Sequence, residues 1–235
     1  MFLIELYKSL QGESSFSGLP CIFIRFAGCN LRCSWCDSEY TFRGGKKSTA
    51  EEVIEQVRKL SPNGGLVEIT GGEPMLQESE VVPLMCTLLD LGYTVLMESS
   101  GERPLASVPQ QVHKIVDVKC PDSGAADTFR RENLDALTSR DEIKFVISSR
   151  RDYEFARDFT RDHNLANIVA SVIFSPAFRN DAGLAALGSP HETRSVEHCL
   201  IDPRLLAGWI LADSLNVRLG FQIHKFIWEP SAKGV

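Results

Sequence analysis

Short apolar runs rich in β-branched residues alternate along the chain with longer amphipathic segments. The runs read as buried strands, and the segments with a helical apolar period read as helices. The predicted strands are FLIELY (2–7), CIFIRFAG (21–28), LVEIT (66–70), YTVLMESS (93–100), HKIVDVKC (113–120), EIKFVIS (142–148), NIVASVIFSP (167–176) and VRLGFQIHKFIW (217–228). The predicted helices are STAEEVIEQVRKL (48–60), ESEVVPLMCTLLDLG (78–92), DTFRRENLDAL (127–137), RDYEFARDFTRDHN (151–164) and PRLLAGWILADS (203–214). Ser48, three residues before Glu51, predicts a capping box on the first helix. Pro83 predicts a kink or an early end in the second. Strands that are continuously apolar and alternate with helices predict an α/β fold whose parallel sheet is covered on its faces.

Polar or special residues stand just past the C-terminal end of nearly every strand: GCNLRC, GGEP, ESSG, KCPDSG, Ser148 with Ser149, FSP and finally HK. A TIM-type barrel gathers its site from such strand ends, but there are about six units here rather than eight, which predicts an incomplete barrel. A flat doubly wound sheet is the alternative. Against it, no GxGxxG fingerprint follows any strand.

Composition narrows the class. The 235 residues, 43% hydrophobic and 24% charged, suit a single domain over 1–235. The net charge of -6 and the absence of a basic tract argue against a nucleic-acid partner. The start, MFLIELYKSLQGE, lacks the basic and long apolar regions of a signal peptide. No apolar stretch approaches the ~20 residues of a membrane span. A cytoplasmic protein with no membrane partner is expected. In that compartment disulfides are rare, so clustered cysteines read as metal or redox groups.

Cys29, Cys33 and Cys36 cluster in GCNLRCSWCDSEYT, three of seven cysteines in the chain. A closed structural zinc site needs four ligands, usually in two pairs, and no second pair follows. Cys21 and Cys86 lie in apolar patterns and are expected in the core. Cys120 follows a strand and could also reach a site. Cys199, near His191 and His198, leaves open a zinc site that borrows from that loop. A four-iron cluster normally takes four thiolates. Three thiolates leave one iron open to bind something else.

The spacing C-x3-C-x2-C, with Trp35 before its last cysteine and Gly71-Gly72-Glu73 after the next strand, resembles the radical S-adenosylmethionine superfamily. The resemblance implies a 4Fe–4S cluster on Cys29, Cys33 and Cys36, with S-adenosylmethionine chelating the open iron. It also implies that the cluster's electron cleaves the sulfonium to give a 5′-deoxyadenosyl radical. Trp35, Gly71, Gly72, Glu73, Glu98, Ser99, Ser100, Lys119 and Ser148 fall where that superfamily holds its cofactor. Glycines suit the methionine end because no side chain blocks the backbone. Simpler readings stand beside these: GGEP as an ordinary turn, Lys119 as an ion pair with Asp117 or Asp122, and Ser148 as a helix cap.

Within the superfamily, LYKSLQGESSFSGLPCIFIRFAGCNLRCSWCDSEYTF and QIHKFIWEPSAKGV look like the 7-carboxy-7-deazaguanine synthase family. That likeness runs from Gln11 to Val235. It implies a lyase that converts 6-carboxy-5,6,7,8-tetrahydropterin to 7-carboxy-7-deazaguanine with loss of ammonia, on the route to queuosine and other 7-deazapurines. It further implies Mg2+, recovery of S-adenosylmethionine, a homodimer and a flavodoxin- or ferredoxin-type reductant. Ser38 holds the place of the family's magnesium ligand, and His224 that of its substrate histidine. Arg25 can grip a carboxylate with two parallel hydrogen bonds, or form an internal salt bridge. Alternation along CIFIRF puts Arg25 on the side of Phe23 and Cys21. Gln11, Gly12 and Glu13 offer donors and acceptors for the pterin, or form a solvated loop. In the family the chain's end lies close to the substrate, which assigns Val235 and its carboxylate to the site. A frayed terminus is the plainer alternative.

Two rival functions remain at this point. A glycyl-radical-enzyme activase shares C-x3-C-x2-C and GGE but acts on a protein. A non-catalytic zinc or electron-transfer module needs only the cysteines. Residues 177–199 carry no recognised motif and read as a substrate lid or a surface connection.

Overall fold

The computed structural model describes residues 1–179, 198–228 and 233–234. A nine-stranded sheet runs through them. β1 (Phe2–Leu10) pairs antiparallel with β2 (Pro20–Phe26), and β3 (Lys46–Lys47) lies antiparallel on the outer side of β1. From β2 onward each neighbour is parallel to the last: β4 (Leu66–Gly71), β5 (Thr94–Ser99), β6 (His113–Asp117), β7 (Glu142–Ile147), β8 (Ser171–Pro176) and β9 (Arg218–Leu219). The sheet order is β3-β1-β2-β4-β5-β6-β7-β8-β9, so the edges β3 and β9 stay unjoined among the described residues. This is the expected α/β architecture, an incomplete barrel. The parallel series is one strand longer than the expected six and carries an antiparallel pair at its start.

The two faces of the strands differ in chemistry. Ile22, Ile24, Val67, Ile69, Val95, Met97, Val116, Ile143, Phe145 and Phe174 join the core beneath the helices. Their neighbours in sequence, Phe23, Arg25, Glu68, Thr70, Glu98, Asp117 and Lys144, line a cavity on the other side. A doubly wound sheet is covered by helices on both faces and is apolar on both. Here the concave face is polar, which excludes the flat alternative.

α1 (Ala50–Leu60) has its cap one residue later than predicted. The capping box belongs to Thr49 and Glu52: Thr49 Oγ1 accepts from Glu52 N at 3.3 Å, and Glu52 Oε2 accepts from Thr49 N at 3.0 Å. The Ser48 N–H is taken by Met1 O at 2.9 Å. α2 (Glu78–Asp90) continues through Pro83, which lies inside the helix and removes one amide bond without ending it. Cys86, expected in the core, is exposed on this helix. The predicted helix at 127–137 is a 3-10 segment, Arg131–Ala136. There the Asn133 side chain ties Gly101 O, Arg103 O and Leu105 N together, a tertiary demand that overrides helical pattern. α3 (Arg150–Asp162) is capped by Ser149, whose hydroxyl accepts from Asp152 N at 3.2 Å. α4 (Pro203–Ala212) matches its prediction. The predicted last strand is mostly not a strand. Only Arg218–Leu219 pair with β8, and His224 opens a single helical turn, α5 (His224–Ile227). A side chain at Gly220 would collide with Ile173 and Ser175, so the chain crosses β8 closely there and leaves the sheet. Among the described residues no helix is long and apolar enough to cross a membrane.

Candidate active site

The strand ends and the inner face enclose a cavity of about 240 Å³. The loop after β2 brings Cys29, Cys33 and Cys36 to its wall, all three half-buried and outside any disulfide. The turn is tight, with Cys36 N–H donating to Cys33 O at 3.2 Å. Burial pushes the Cys29 and Cys33 thiols up, so their thiolate forms need a cation to stabilise them. Among the described residues no group of three His, Cys, Asp or Glu is arranged to hold a single metal ion. A four-iron cluster asks for something different: each thiolate takes a separate iron, so the sulfurs stand apart around a shared cavity.

The glycines after β4 complete that end. A side chain on Gly71 would collide with the Phe26 backbone, and one on Gly72 with Gly28 and Cys29. Gly72 N–H donates to Phe26 O at 3.3 Å, and Glu73 N–H to Gly28 O at 2.9 Å. The glycines therefore let bare backbone lie against the cysteine turn. Soft donors that face a cavity beside an unobstructed backbone cradle fit a cluster with an amino-acid ligand on its open iron.

Most predicted residues reach this cavity; two do not. Trp35, Ser38, Gly71, Gly72, Glu98, Ser99, Ser100, Lys119, Gln11, Gly12, Glu13, Arg25 and His224 line it. Glu73 lies beneath the wall at 0% exposure. Its carboxylate accepts from Met75 N (3.1 Å), Ser99 Oγ (3.0 Å), Ser100 N (2.9 Å) and Ser100 Oγ (2.7 Å). It pins the loop after β5 to the loop after β4 rather than offering itself to a ligand. Ser148 is absent from the lining; its amide and hydroxyl donate to Asp152 Oδ2 at 2.9 and 2.7 Å. This is close to the cap expected as its alternative. Val235 and 180–197, most of the unassigned loop, lie outside the described residues. Lys119 pairs with Asp117 at 2.7 Å, as its simpler reading has it, while still facing the cavity.

The rest of the lining is a network of charges. Arg25 Nε pairs with Glu5 at 2.8 Å, and its Nη2 donates to Tyr7 OH at 3.3 Å. The internal salt bridge thus forms, yet the guanidinium still faces the cavity. Tyr40 OH donates to Glu5 at 2.7 Å. Lys144 bridges Glu13, at 2.6 Å, and Glu98. Gln222 Nε2 donates to Glu13 at 2.6 Å. Burial opposes charge on Glu13, but Lys144, His224 and the bonds from Lys144 and Gln222 hold its pKa down to about 2. Burial instead raises Glu98 and lowers His224. A side chain on Gly12 would collide with the His224 ring, and Ile223 N–H donates to Gly12 O at 2.8 Å. Lys225 pairs with Asp37, between Cys36 and Ser38, at 2.8 Å. The Cys36 sulfur lies 3.7 Å from Ser38 Oγ.

Sequence reasoning missed Tyr7, Asp37, Tyr40, Glu68, Lys144, Gln222 and Lys225, all of which line the cavity. A usable signal existed for two of them. Glu68 in LVEIT and Lys144 in EIKFVI are charges inside strands otherwise apolar enough to be buried, and a buried charge needs a partner or a role.

Fold and cavity define a partial barrel that gathers three thiolate donors at its strand ends. A profile of the Radical SAM superfamily matches residues 23–162. A 7-carboxy-7-deazaguanine synthase of Koribacter versatilis (strain Ellin345) is 64% identical over 235 residues, 100% of both chains. A 7-carboxy-7-deazaguanine synthase of Chlorobaculum tepidum is 37% identical over 98% of this chain and 96% of its own. Among solved structures, QueE from Escherichia coli superposes with a TM-score of 0.65 over 94% of this chain and 93% of that one. Its 23% identity makes this a likeness of fold. The chain belongs to the radical S-adenosylmethionine superfamily and, within it, to the 7-carboxy-7-deazaguanine synthase family.

Proposed function

We propose that this chain, as one domain over 1–235, converts 6-carboxy-5,6,7,8-tetrahydropterin to 7-carboxy-7-deazaguanine with loss of ammonia. The observation that carries the reading is one cavity lined by two unlike sets of groups: three thiols outside any disulfide, and an ionised Glu13 with Arg25. When bound, the 4Fe–4S cluster and S-adenosylmethionine supply the one-electron chemistry. Cys29, Cys33 and Cys36 hold the cluster. Trp35, Gly71, Gly72, Glu98, Ser99, Ser100 and Lys119 surround the cofactor, and Glu73 holds Ser99 and Ser100 in place.

The protein's own task is to orient the substrate and keep it dry. Arg25 has its Nε committed to Glu5 and one Nη2 hydrogen to Tyr7 OH, and presents the N–H donors that remain to the substrate carboxylate. Glu13, kept anionic, accepts from the guanidine-like edge, where the pterin offers donors. Gln11, Gly12 and His224 complete that wall, and Val235 is the residue the family's pattern adds to it. Ser38 Oγ is the protein's ligand for Mg2+, a hard ion that completes its shell with substrate oxygen and water. The enzyme works as a homodimer in the cytoplasm and draws electrons from a flavodoxin- or ferredoxin-type donor.

The test is anaerobic reconstitution with iron and sulfide, followed by incubation with S-adenosylmethionine, Mg2+, a one-electron reductant such as dithionite, and the carboxytetrahydropterin as the only substrate. Deazaguanine, ammonia and undiminished S-adenosylmethionine are expected. A colourless zinc-binding protein, or turnover only with a protein substrate, would overturn the reading. Ala at Cys29, Cys33 or Cys36 should abolish cluster assembly, whereas Cys86→Ala should leave iron content intact.

A further inference from the structure

Glu68 is a cavity acid that the scheme above leaves unused. It stands in the middle of β4, where Val67 and Ile69 point into the core, so it faces the cavity at 2% exposure. Its carboxylate accepts from Gln11 Nε2 at 2.5 Å. The Gln11 side-chain oxygen in turn accepts the Glu13 backbone N–H. With a donor and an acceptor both engaged, the Gln11 amide has one orientation. Its backbone is held as well: Gln11 N–H donates to Leu19 O, and Gly18 N–H to Gln11 O, each at 2.8 Å. Glu13 therefore leaves a fixed backbone, and Lys144 and Gln222 meet its carboxylate, each at 2.6 Å.

We propose that Glu68 is a positioning residue, which acts through Gln11 to fix the loop that presents the Glu13 carboxylate to the substrate's guanidine-like edge. This deepens the function proposed above and rests on it for the identity of that edge. Titratable groups face Glu68 from every side: Tyr7 on β1, Cys21 and Arg25 on β2, Glu98 on β5, and Glu13 on the loop. Burial pushes Glu68 up to about 8; Glu98 and Glu13 add to the rise, while the Gln11 bond and Arg25 oppose it. Glu68 is thus mostly neutral at neutral pH, and ionising it sets a third carboxylate against Glu13 and Glu98.

Two variants separate positioning from plain packing. Glu68→Gln keeps the shape and an acceptor for Gln11 but cannot ionise. Glu68→Leu removes the acceptor. Hydrogen exchange over residues 11–19 in substrate-free protein should show protection kept in Glu68→Gln and lost several-fold in Glu68→Leu. In the reconstituted enzyme, the wild-type KM for the carboxytetrahydropterin should climb several-fold between neutral pH and about 9. Glu68→Gln should flatten that climb, and Glu68→Leu should raise KM roughly tenfold with kcat little changed. Unchanged protection in Glu68→Leu, or an alkaline climb that survives in Glu68→Gln, would overturn the proposal. The exchange measurement needs no substrate, so failure to turn over the pterin would refute the assigned reaction and leave the positioning role to be judged on exchange.

Discussion

Lys144 shows how one residue sets the charge of the cavity. It lies between Ile143 and Phe145, both in the apolar core, and points the other way at 4% side-chain exposure. There it meets Glu13 and Glu98. A buried lysine with two carboxylates is tolerable because each charge answers another; removing the centre leaves two acids opposed in a dry site. Lys144→Met is expected to cost roughly 3 kcal/mol of stability, read from denaturant unfolding, and to raise the Glu13 pKa. The pH dependence follows from signs. Glu13 has a folded pKa of about 2 against an ordinary 4.5. Its contribution is therefore full above 4.5 and is lost as pH falls towards 2. Glu68 is the reverse, with about 8 against 4.5. Its contribution is full below 4.5 and is lost as pH rises through 8. Glu68→Gln should accordingly raise the unfolding temperature more at pH 9 than at pH 5, a comparison made on one buffer series. An equal change at both values would mean that Glu68 is charged throughout.

At the scale of elements, what could be read from the sequence was what is local. The cysteine loop was legible because metal ligation imposes a short spacing, and the glycines after β4 because they must lie against that loop. The helices were legible by their apolar period, and α1 missed only by one residue at its cap. That difference has a measurable consequence: Thr49→Ala should cost about 1 kcal/mol, seen as a shift in the unfolding midpoint, and Ser48→Ala should cost less. Equal costs would mean that the box does not stabilise the helix. The failures share a different cause. Segment 127–137 has a helical pattern but is shaped by Asn133 reaching Gly101 and Arg103. The stretch 217–228 has a strand's composition but is turned by the contact of Gly220 with β8. Lys144 and Glu13 lie 131 positions apart, and Lys225 and Asp37 lie 188 apart. No pattern within a window reports such pairs, so the charged wall was visible as Glu13, Arg25, Glu98 and His224 without the pairing that joins them.

For the whole molecule the question is how an open sheet encloses a site. β3 and β9 do not pair among the described residues, so no strand ladder shuts the barrel. The segment just beyond β9 reaches across instead. Gln222 reaches Glu13 on the loop after β1, Ile223 N–H reaches Gly12 O, and His224 packs against Gly12. Lys225, buried to 6% side-chain exposure, reaches Asp37 in the cysteine loop, with its ammonium 5.0 Å from the Phe178 ring centre. One short segment thus fastens the substrate wall and the cysteine turn together. If these contacts act as one latch, loosening one end should loosen the other. Lys225→Met removes the ion pair and keeps the apolar stem packed. Asp37 is half exposed, so the cost to global stability should be only about 1 kcal/mol. Hydrogen exchange should nevertheless quicken in two places, over 29–42 and over 11–19, with Lys225→Arg restoring much of the protection. Faster exchange confined to 29–42 would show that the cysteine turn and the substrate loop are held independently. The sheet would then be closed by two separate contacts rather than by a latch.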